Sequence, residues 1–473
     1  MDAADNLRQG LRFLRSGALR SGFTTLGIGS LLVAGSLGLR LTSGRVFSDD
    51  TSVAALARLS QSLIMLQSFH GEPSRAAPRL WSDRLGVEPA GDLWRRYGRS
   101  VWWKAWSQDG EAYLVLPASA LPPNLKGLHH YRVGALVVLA SDALHRQQLE
   151  RVLNVDSTDQ PVVQPHTLLA SCLISLDRAP AVFWRSDAVA SLSGTLAPLL
   201  QQGREGCVRL QLTSDRLRWD GVIGERPLSA STQRVSFTDR FPELVSSPAS
   251  ETNPSLLRIE GRRLDLILGT LLSRQIIQTP LETHYGLNAQ MRTRLADRPF
   301  ALRLQPRESG GYRAGLQVQL HLNGDRQAWQ SVLEAVTARL QATGFERLPS
   351  TAPKAAGEAS SLWSRRDDDD NALVGGWQWL QEGNSNLLSI GFGIRPASDA
   401  FVALGGMETK TETALTVQVL PDQLKQLDLL SGRWPKPVER ASVLRFRLNP
   451  LQQQPTRKPW WRMNGELRLA PQP

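Results

Sequence analysis

Cysteine is nearly absent: Cys172 and Cys207 are the only two in 473 residues. No CxxC and no HxxxH accompanies them, so the zinc spacings that close structural or catalytic sites are missing. The seven histidines (His70, His129, His130, His145, His166, His284 and His321) form no metal signature. No GxxxxGK[ST] occurs, which removes the Walker-type phosphate loop. Gly27-Ile28-Gly29-Ser30 has no strand before it and is neither a nucleophile elbow nor a phosphate loop. Composition and spacing therefore assign no catalytic residue, no metal ligand and no cofactor.

Lysine is scarce as well, with seven of the 55 basic residues. Arginine carries the charge, and the formal net charge is +11. A basic surface favours anionic partners such as lipid headgroups, acidic glycans or acidic proteins. A chain-wide preference for arginine over lysine is the plain alternative.

What the chain does have is one uncharged run, Ser21 to Leu39, SGFTTLGIGSLLVAGSLGL. At about 1.5 Å per helical residue it is just long enough for a bilayer core of about 30 Å. Arg8, Arg12, Arg15 and Arg20 precede it, which predicts a cytoplasmic N-terminus, residues 21–41 as the anchor, and everything after Leu41 outside. Arg40 and Arg45 follow the span and oppose that bias. Two alternatives stand beside the anchor. Val33-Ala34-Gly35 offers a signal-peptidase cut, although the polar leader is long for a signal peptide. A buried soluble helix would be weakened by Gly27, Gly29, Gly35 and Gly38. Without Met1 to Leu41 the remainder still carries a formal charge of +8.

Beyond the anchor the pattern is α+β. Thr51-Ser52 caps a predicted helix carrying Leu56, Leu59, Leu63 and Leu66. Val101–Trp106, Glu111–Leu116 and Gly134–Ala140 read as strands, and Ser141-Asp142 opens a helix to Leu153. Leu168–Leu176 and Cys207–Ile223 read as strands, the latter with a hairpin at Asp215-Arg216. Export permits a Cys172–Cys207 disulfide, and two free buried cysteines are the alternative.

Ser246 to Pro254 is linker-like. After it come a strand at Leu256–Glu260, a helix over Arg262–Gln278, and alternating strands at Phe300–Gln305 and Tyr312–Leu322. Asp325 to Thr343 has the best helical stripe, with Trp329, Val332, Leu333, Val336 and Leu340, closed by Gly344. Pro349–Ser361 reads as a loop, and Leu387–Ile394, Leu415–Leu420, Val443–Leu448 and Met463–Leu469 as strands. Tyr131-Arg132-Val133-Gly134 and Tyr312-Arg313-Ala314-Gly315 resemble one another, and each half ends in two alternating strands. This predicts two related modules, 50–245 and 250–473, of antiparallel sheet with flanking helices.

Two Trp–Arg segments stand out. Trp94 to Trp106 holds four Trp, one Tyr and four basic residues. Trp460-Trp461-Arg462 closes a basic loop. Such clusters suit a membrane interface or a sugar face. Trp94, Trp102, Trp103, Trp460, Trp461 and Arg462 are accordingly the candidate interface contacts. The alternative is ordinary core for the first cluster and a hairpin for the second. Arg365-Arg366-Asp367-Asp368-Asp369-Asp370 lacks the alternation of a calcium loop and reads as solvated.

Pro280 to Gly344, LETHYGLNAQMRTRLADRPFALRLQP followed by YRAGLQVQLHLNGDRQAWQSVLEAV, resembles a class of uncharacterised cyanobacterial proteins with an N-terminal anchor and a large exported α+β region. The resemblance implies a plasma or thylakoid membrane, with the bulk in the periplasm or lumen, and no activity. The expectation is a noncatalytic binding or assembly module that meets lipid through its anchor and an anionic lipid or acidic protein surface elsewhere, with no nucleic-acid role. The alternatives are a hydrolase or transferase with a nonlocal site, and a lipid carrier.

Overall fold

The computed structural model describes residues 51–469, leaving out 98, 123–125, 156–166, 186–202, 232–234, 236–240, 242–254, 266, 268–278, 280–281, 284–287, 297, 308–312, 323–325, 349–359, 368–369, 383–384, 400–413, 430–440 and 452–459. The candidate anchor lies outside these, as does most of the expected helix at 262–278. No described helix is long and apolar enough to cross a membrane.

Eight α-helices and one 18-stranded sheet are described. The first half contributes β1 (Met65–His70), β2 (Val101–Trp106), β3 (Ala112–Pro117), β4 (His130–Val133), β5 (Leu136–Leu139), β6 (Ala181–Trp184), β7 (Glu205–Leu212) and β8 (Arg216–Gly224). Its helices are α1 (Ser52–Ser62), α2 (Arg79–Leu85), α3 (Val87–Tyr97), α4 (Ala143–Val155) and α5 (Leu168–Arg178). The second half contributes β9 (Leu257–Gly261), β10 (Phe300–Pro306), β11 (Ala314–His321), β12 (Phe345–Leu348), β13 (Ser360–Asp367), β14 (Asp370–Glu382), β15 (Ser385–Phe392), β16 (Leu415–Val419), β17 (Ala441–Pro450) and β18 (Trp460–Leu469). Its helices are α6 (Ala289–Ala296), α7 (Arg326–Ala342) and α8 (Pro421–Gln426).

Every pairing is antiparallel, and the strands lie in the order β4-β5-β3-β2-β1-β6-β7-β8-β18-β17-β16-β9-β10-β11-β15-β14-β13-β12. From β8 outward and from β18 outward the connectivity is the same, with β12 and β13 as an addition beyond β14. The two series meet where Asp220 of β8 faces Asn464 of β18. Carrying the register outward from that point sets Arg209 against Arg447, Trp102 against Phe300, Leu114 against Val318 and Val137 against Leu388. A local twofold axis therefore passes between Asp220 and Asn464. The resemblance of Tyr131–Gly134 to Tyr312–Gly315 does not follow this symmetry. The first segment belongs to β4, whose counterpart is β14, and the second runs into β11.

Local chemistry explains most elements and two corrections. Thr51 caps α1 by accepting from the Ala54 N–H at 3.2 Å, and Leu56 and Leu59 are buried. The helix stops at Ser62, so Leu66 belongs to β1 rather than to the helical stripe. Leu168–Leu176 is helix α5, not a strand. Its run LLASCLISL is short and apolar but for Ser171 and Ser175, so periodicity separates strand from helix poorly there. Thr167 decides the matter by accepting from the Ala170 N–H at 3.1 Å as an N-cap. In α7 Trp329 and Leu333 are buried while Val336 is only half-buried, and Gly344 follows with φ 94°. Of the Arg365–Asp370 segment, Arg365–Asp367 end β13 and Asp370 opens β14, with Asp367 paired to Asp370.

Three cores result. One face of the first-half sheet packs on α1, α4 and α5, through Leu56, Trp103, Tyr113, Leu149 and Leu173 among others. The opposite face packs on α2 and α3 through Trp81, Trp94, Trp102 and Leu114. In the second half one face buries Phe300, Leu320, Trp377, Trp379 and Leu388 against Trp329 and Leu333 of α7. The other face of that half is polar.

Candidate anion-binding seam

Residues directly opposite on neighbouring strands share a sheet face. Following Asp220 across the sheet gives one continuous row: Arg209, Asp220, Asn464, Arg447, Thr416, Glu260, Ala301, Gln319, Ser389 and Gln378. The next row reads Gln211, Arg218, Glu466, Arg445, Gln418, Arg258, Arg303 and Gln317. Arg216, Arg462 and Arg468 flank these rows on the same face. This face carries Arg209, Arg216, Arg218, Arg258, Arg303, Arg445, Arg447, Arg462 and Arg468 against Asp220, Glu260 and Glu466. Strand alternation produces it, since every second residue of VRLQL, LRFRL and NGELRL is polar.

At the seam between the halves the carboxylates are deeply buried. Asp220 is 0% exposed. Arg462 donates to it through Nε and Nη2, each at 3.1 Å, in the bidentate geometry that suits a guanidinium and a carboxylate. Arg209 approaches it to 3.9 Å. Glu466 is shared by Arg445 at 3.7 Å, Arg216 at 3.8 Å and Arg218 at 4.0 Å. Arg447 has a buried Nε and Asn464 a buried Oδ1, each without a hydrogen-bond partner among the described residues. Gly221 and Gly465 let the strands close up here. A Cβ at Gly221 would lie 2.0 Å from the Cys207 carbonyl oxygen, and one at Gly465 would lie 2.2 Å from the Trp219 ring.

Farther along, the same face is covered by chain rather than by helices. Gln317 Nε2 donates to the Arg395 carbonyl at 3.1 Å, Gln319 to Asp399 at 2.7 Å and Gln378 to Ala397 at 2.5 Å. The three amides thus hold 395–399 as a strap, and His321 and Ser389 are fully buried on the sheet face.

The candidate contacts fall elsewhere. Trp94, Trp102, Trp103, Trp460 and Trp461 are all 6% exposed or less, so they offer no face to lipid and the interfacial reading is corrected to core. Trp94 and Trp102 join Trp81 in an edge-to-face cluster with centroids 5.0–6.2 Å apart. Trp103 Nε1 donates to the Leu176 carbonyl at 2.8 Å. The Trp–Arg pairing near the C-terminus is internal: Arg226 lies 3.9 Å over Trp460 and Arg263 lies 5.1 Å over Trp461. Arg462, in contrast, sits in the seam. Cys172 of α5 and Cys207 of β7 are joined in a disulfide with Cα atoms 5.9 Å apart, both fully buried.

A second polar cluster resembles a nucleophile–base–acid set and is not one. Ser141 Oγ and Asp142 Oδ2 both meet the same nitrogen, Nδ1 of His145, at 3.0 and 2.8 Å. A relay needs the two ring nitrogens to serve different partners. Asp142 also accepts from the His145 backbone N–H at 2.9 Å, as a cap of α4. These bonds hold the Asp142 carboxyl down to about 2, and the Asp142 carboxylate raises His145. Among the described residues no group of three or more His, Cys, Asp and Glu is placed to hold a metal ion.

Asp220, Asn464, Arg447 and Glu466 were not singled out by sequence reasoning. The signal for them is the repeat of Arg218-Trp219-Asp220-Gly221 as Arg462-Met463-Asn464-Gly465, four residues long and visible only when the two final hairpins are aligned. No protein-family model, no curated protein and no solved structure matches this chain.

Proposed function

We propose that this chain is a membrane-anchored extracytoplasmic module, built from two related α+β halves, that binds an acidic protein surface through the arginine-rich face of its central sheet. The observation that carries the reading is the excess of arginine over carboxylate on that one face. Rows of guanidinium groups at the strand spacing of about 4.8 Å present flat, forked donors suited to carboxylates. The tether rests on the uncharged Ser21–Leu39 run and its arginine flank. Burial of the five Trp favours a protein partner over a lipid surface, because interfacial tryptophan is what a lipid contact would use.

The test is binding of the full-length chain, in nonionic detergent, to immobilised polyglutamate and to phosphatidylglycerol vesicles across a salt series. Polyglutamate should bind at low salt and release as salt screens the contact. Arg258→Gln with Arg468→Gln should weaken it. Vesicle binding without polyglutamate binding would replace the protein partner with lipid. No binding to either at low salt would remove the reading.

A further inference from the structure

The local twofold axis makes an internal comparison available. In one half Asp220 stands between Arg209, its partner on β7, and Arg462, its neighbour across the seam. The symmetry-related trio is Arg447, residue 464 and Arg218. That second trio holds the two arginines and lacks the carboxylate, because residue 464 is Asn. A neutral residue here avoids opposing a second carboxylate to Asp220 across the seam. It also leaves the second pair of guanidinium groups without the acid that the first pair encloses. Among the described residues Arg218 reaches only Glu466, at 4.0 Å, which it shares with two other arginines. Asn464 is 6% exposed, and the Arg447 Nε beside it is a buried donor with no hydrogen-bond partner among the described residues. The Arg218 side chain is 27% exposed, so the position is reached from solvent.

We infer that Asn464, Arg447 and Arg218 form an oxyanion-recognition site, in which the carboxylate of an acidic partner is held beside the Asn464 carboxamide by the two guanidinium groups that no internal carboxylate separates. The inference rests on the acidic-partner reading above and names its point of contact. The asparagine amide supplies a neutral N–H donor. The two arginines supply positive charge on either side, as Arg462 does for Asp220 through two hydrogen bonds and Arg209 does at 3.9 Å. A phosphate group meets the same donors, and the test separates the two chemistries.

Thermal unfolding of the full-length chain is followed against acetate and against inorganic phosphate, at constant ionic strength held with NaCl. The expected result is a saturable rise in melting temperature with one or both oxyanions beyond NaCl; the tighter of the two identifies carboxylate or phosphate as the natural group. Arg447→Gln should weaken that apparent affinity by about 10- to 100-fold, the worth of one charge-assisted hydrogen bond. Asn464→Asp should abolish the response by placing an internal carboxylate in the site. Arg79→Gln, on a side chain 94% exposed and far from the seam, should leave it intact. If Asn464→Asp does not fold, Arg447→Gln decides alone, since it keeps a polar side chain at the position and removes the guanidinium. Equal responses of wild type and Arg447→Gln, or no response beyond NaCl, would overturn the site. Polyglutamate binding that survives Arg447→Gln would overturn this site and leave the broader reading standing. An oxyanion response without polyglutamate binding would do the reverse.

Discussion

The two halves of the sheet share one strand order and differ in what covers them. In the first half both faces are packed by helices as far as β6, with α1, α4 and α5 on one side and α2 and α3 on the other, and only β7 and β8 carry the polar rows of the seam. In the second half one face is apolar under α7, while the other carries arginine, glutamine and asparagine. Tyr113 and Val115 of β3 correspond to Gln317 and Gln319 of β11 on that exchanged face. Leu114 and Leu116 correspond to Val318 and Leu320 on the retained one. The backbone ladder thus fixes the arrangement, and the side chains of one face are free to change from core to polar. The first half carries the disulfide and two packed layers.

The largest expected effect lies on the symmetry axis. Asp220→Ala would remove a fully buried carboxylate and leave Arg209, 10% exposed, and Arg462, 33% exposed, without it, at a cost of about 3 kcal/mol. Asn464→Ala removes a neutral side chain at the equivalent position and should cost about 1 kcal/mol. Urea unfolding of both variants checks this. Equal losses would mean that the two positions are alike and that the symmetry has no chemical asymmetry at its centre.

Next is the disulfide, which belongs to the first half alone among the described residues. It closes a loop with a sequence separation of 35. Chain-entropy arguments give about 4 kcal/mol for such a loop, with measured values of about 2–4. The Cys172→Ala, Cys207→Ala double variant should therefore lower the unfolding free energy extrapolated from urea titration by that much. Hydrogen exchange should show α5 and β7 losing protection while β10 and β11 keep theirs. Uniform loss across both halves would mean that the sheet unfolds as one cooperative unit.

The sequence carries the strands and the main helices well because alternation and the Trp329–Leu340 stripe are strong local signals. It hides α5, where a short, mostly apolar run has little periodicity to read. It also hides the site, because Asp220 and Arg462 lie 242 residues apart and meet only through the β8–β18 pairing. The Trp–Arg clusters mislead for a physical reason. A tryptophan beside an arginine has the same composition whether the guanidinium stacks on its ring inside the fold or both reach a membrane. Arg226 over Trp460 shows the first case.

A smaller effect separates the halves by pH. Glu205, at the start of β7, is buried, and its carboxyl is pushed up to about 7 despite the Leu228 N–H and Arg185, which pull it down. The unfolded value is 4.5, so between these limits the folded chain holds a proton that the unfolded chain has released. Stability from this group is present below about pH 4.5 and is lost as pH rises through about 7, by about 1–3 kcal/mol. Glu205→Gln should flatten that slope, so its advantage over wild type grows from pH 5 to pH 8. Parallel pH profiles would mean that Glu205 titrates as an ordinary carboxylate.

The smallest effect concerns the strap on the polar face. Gln319→Met keeps the length of the side chain and removes its donor to the Asp399 carbonyl. One neutral hydrogen bond contributes about 1 kcal/mol, and the replacement is apolar in a site that is fully buried, so part of the loss is offset by burial. Global stability should fall by less than about 1 kcal/mol. The local consequence is larger than the global one, because Gln317 and Gln378 hold the strap only at Arg395 and Ala397. Amides near Asp399 should exchange faster, while those of β11 stay protected by their ladder to β10 and β15. Unchanged exchange near Asp399 would mean that the strap is held by its backbone path and not by the glutamines. The difference between the halves would then lie in connection length rather than in the polarity of the face.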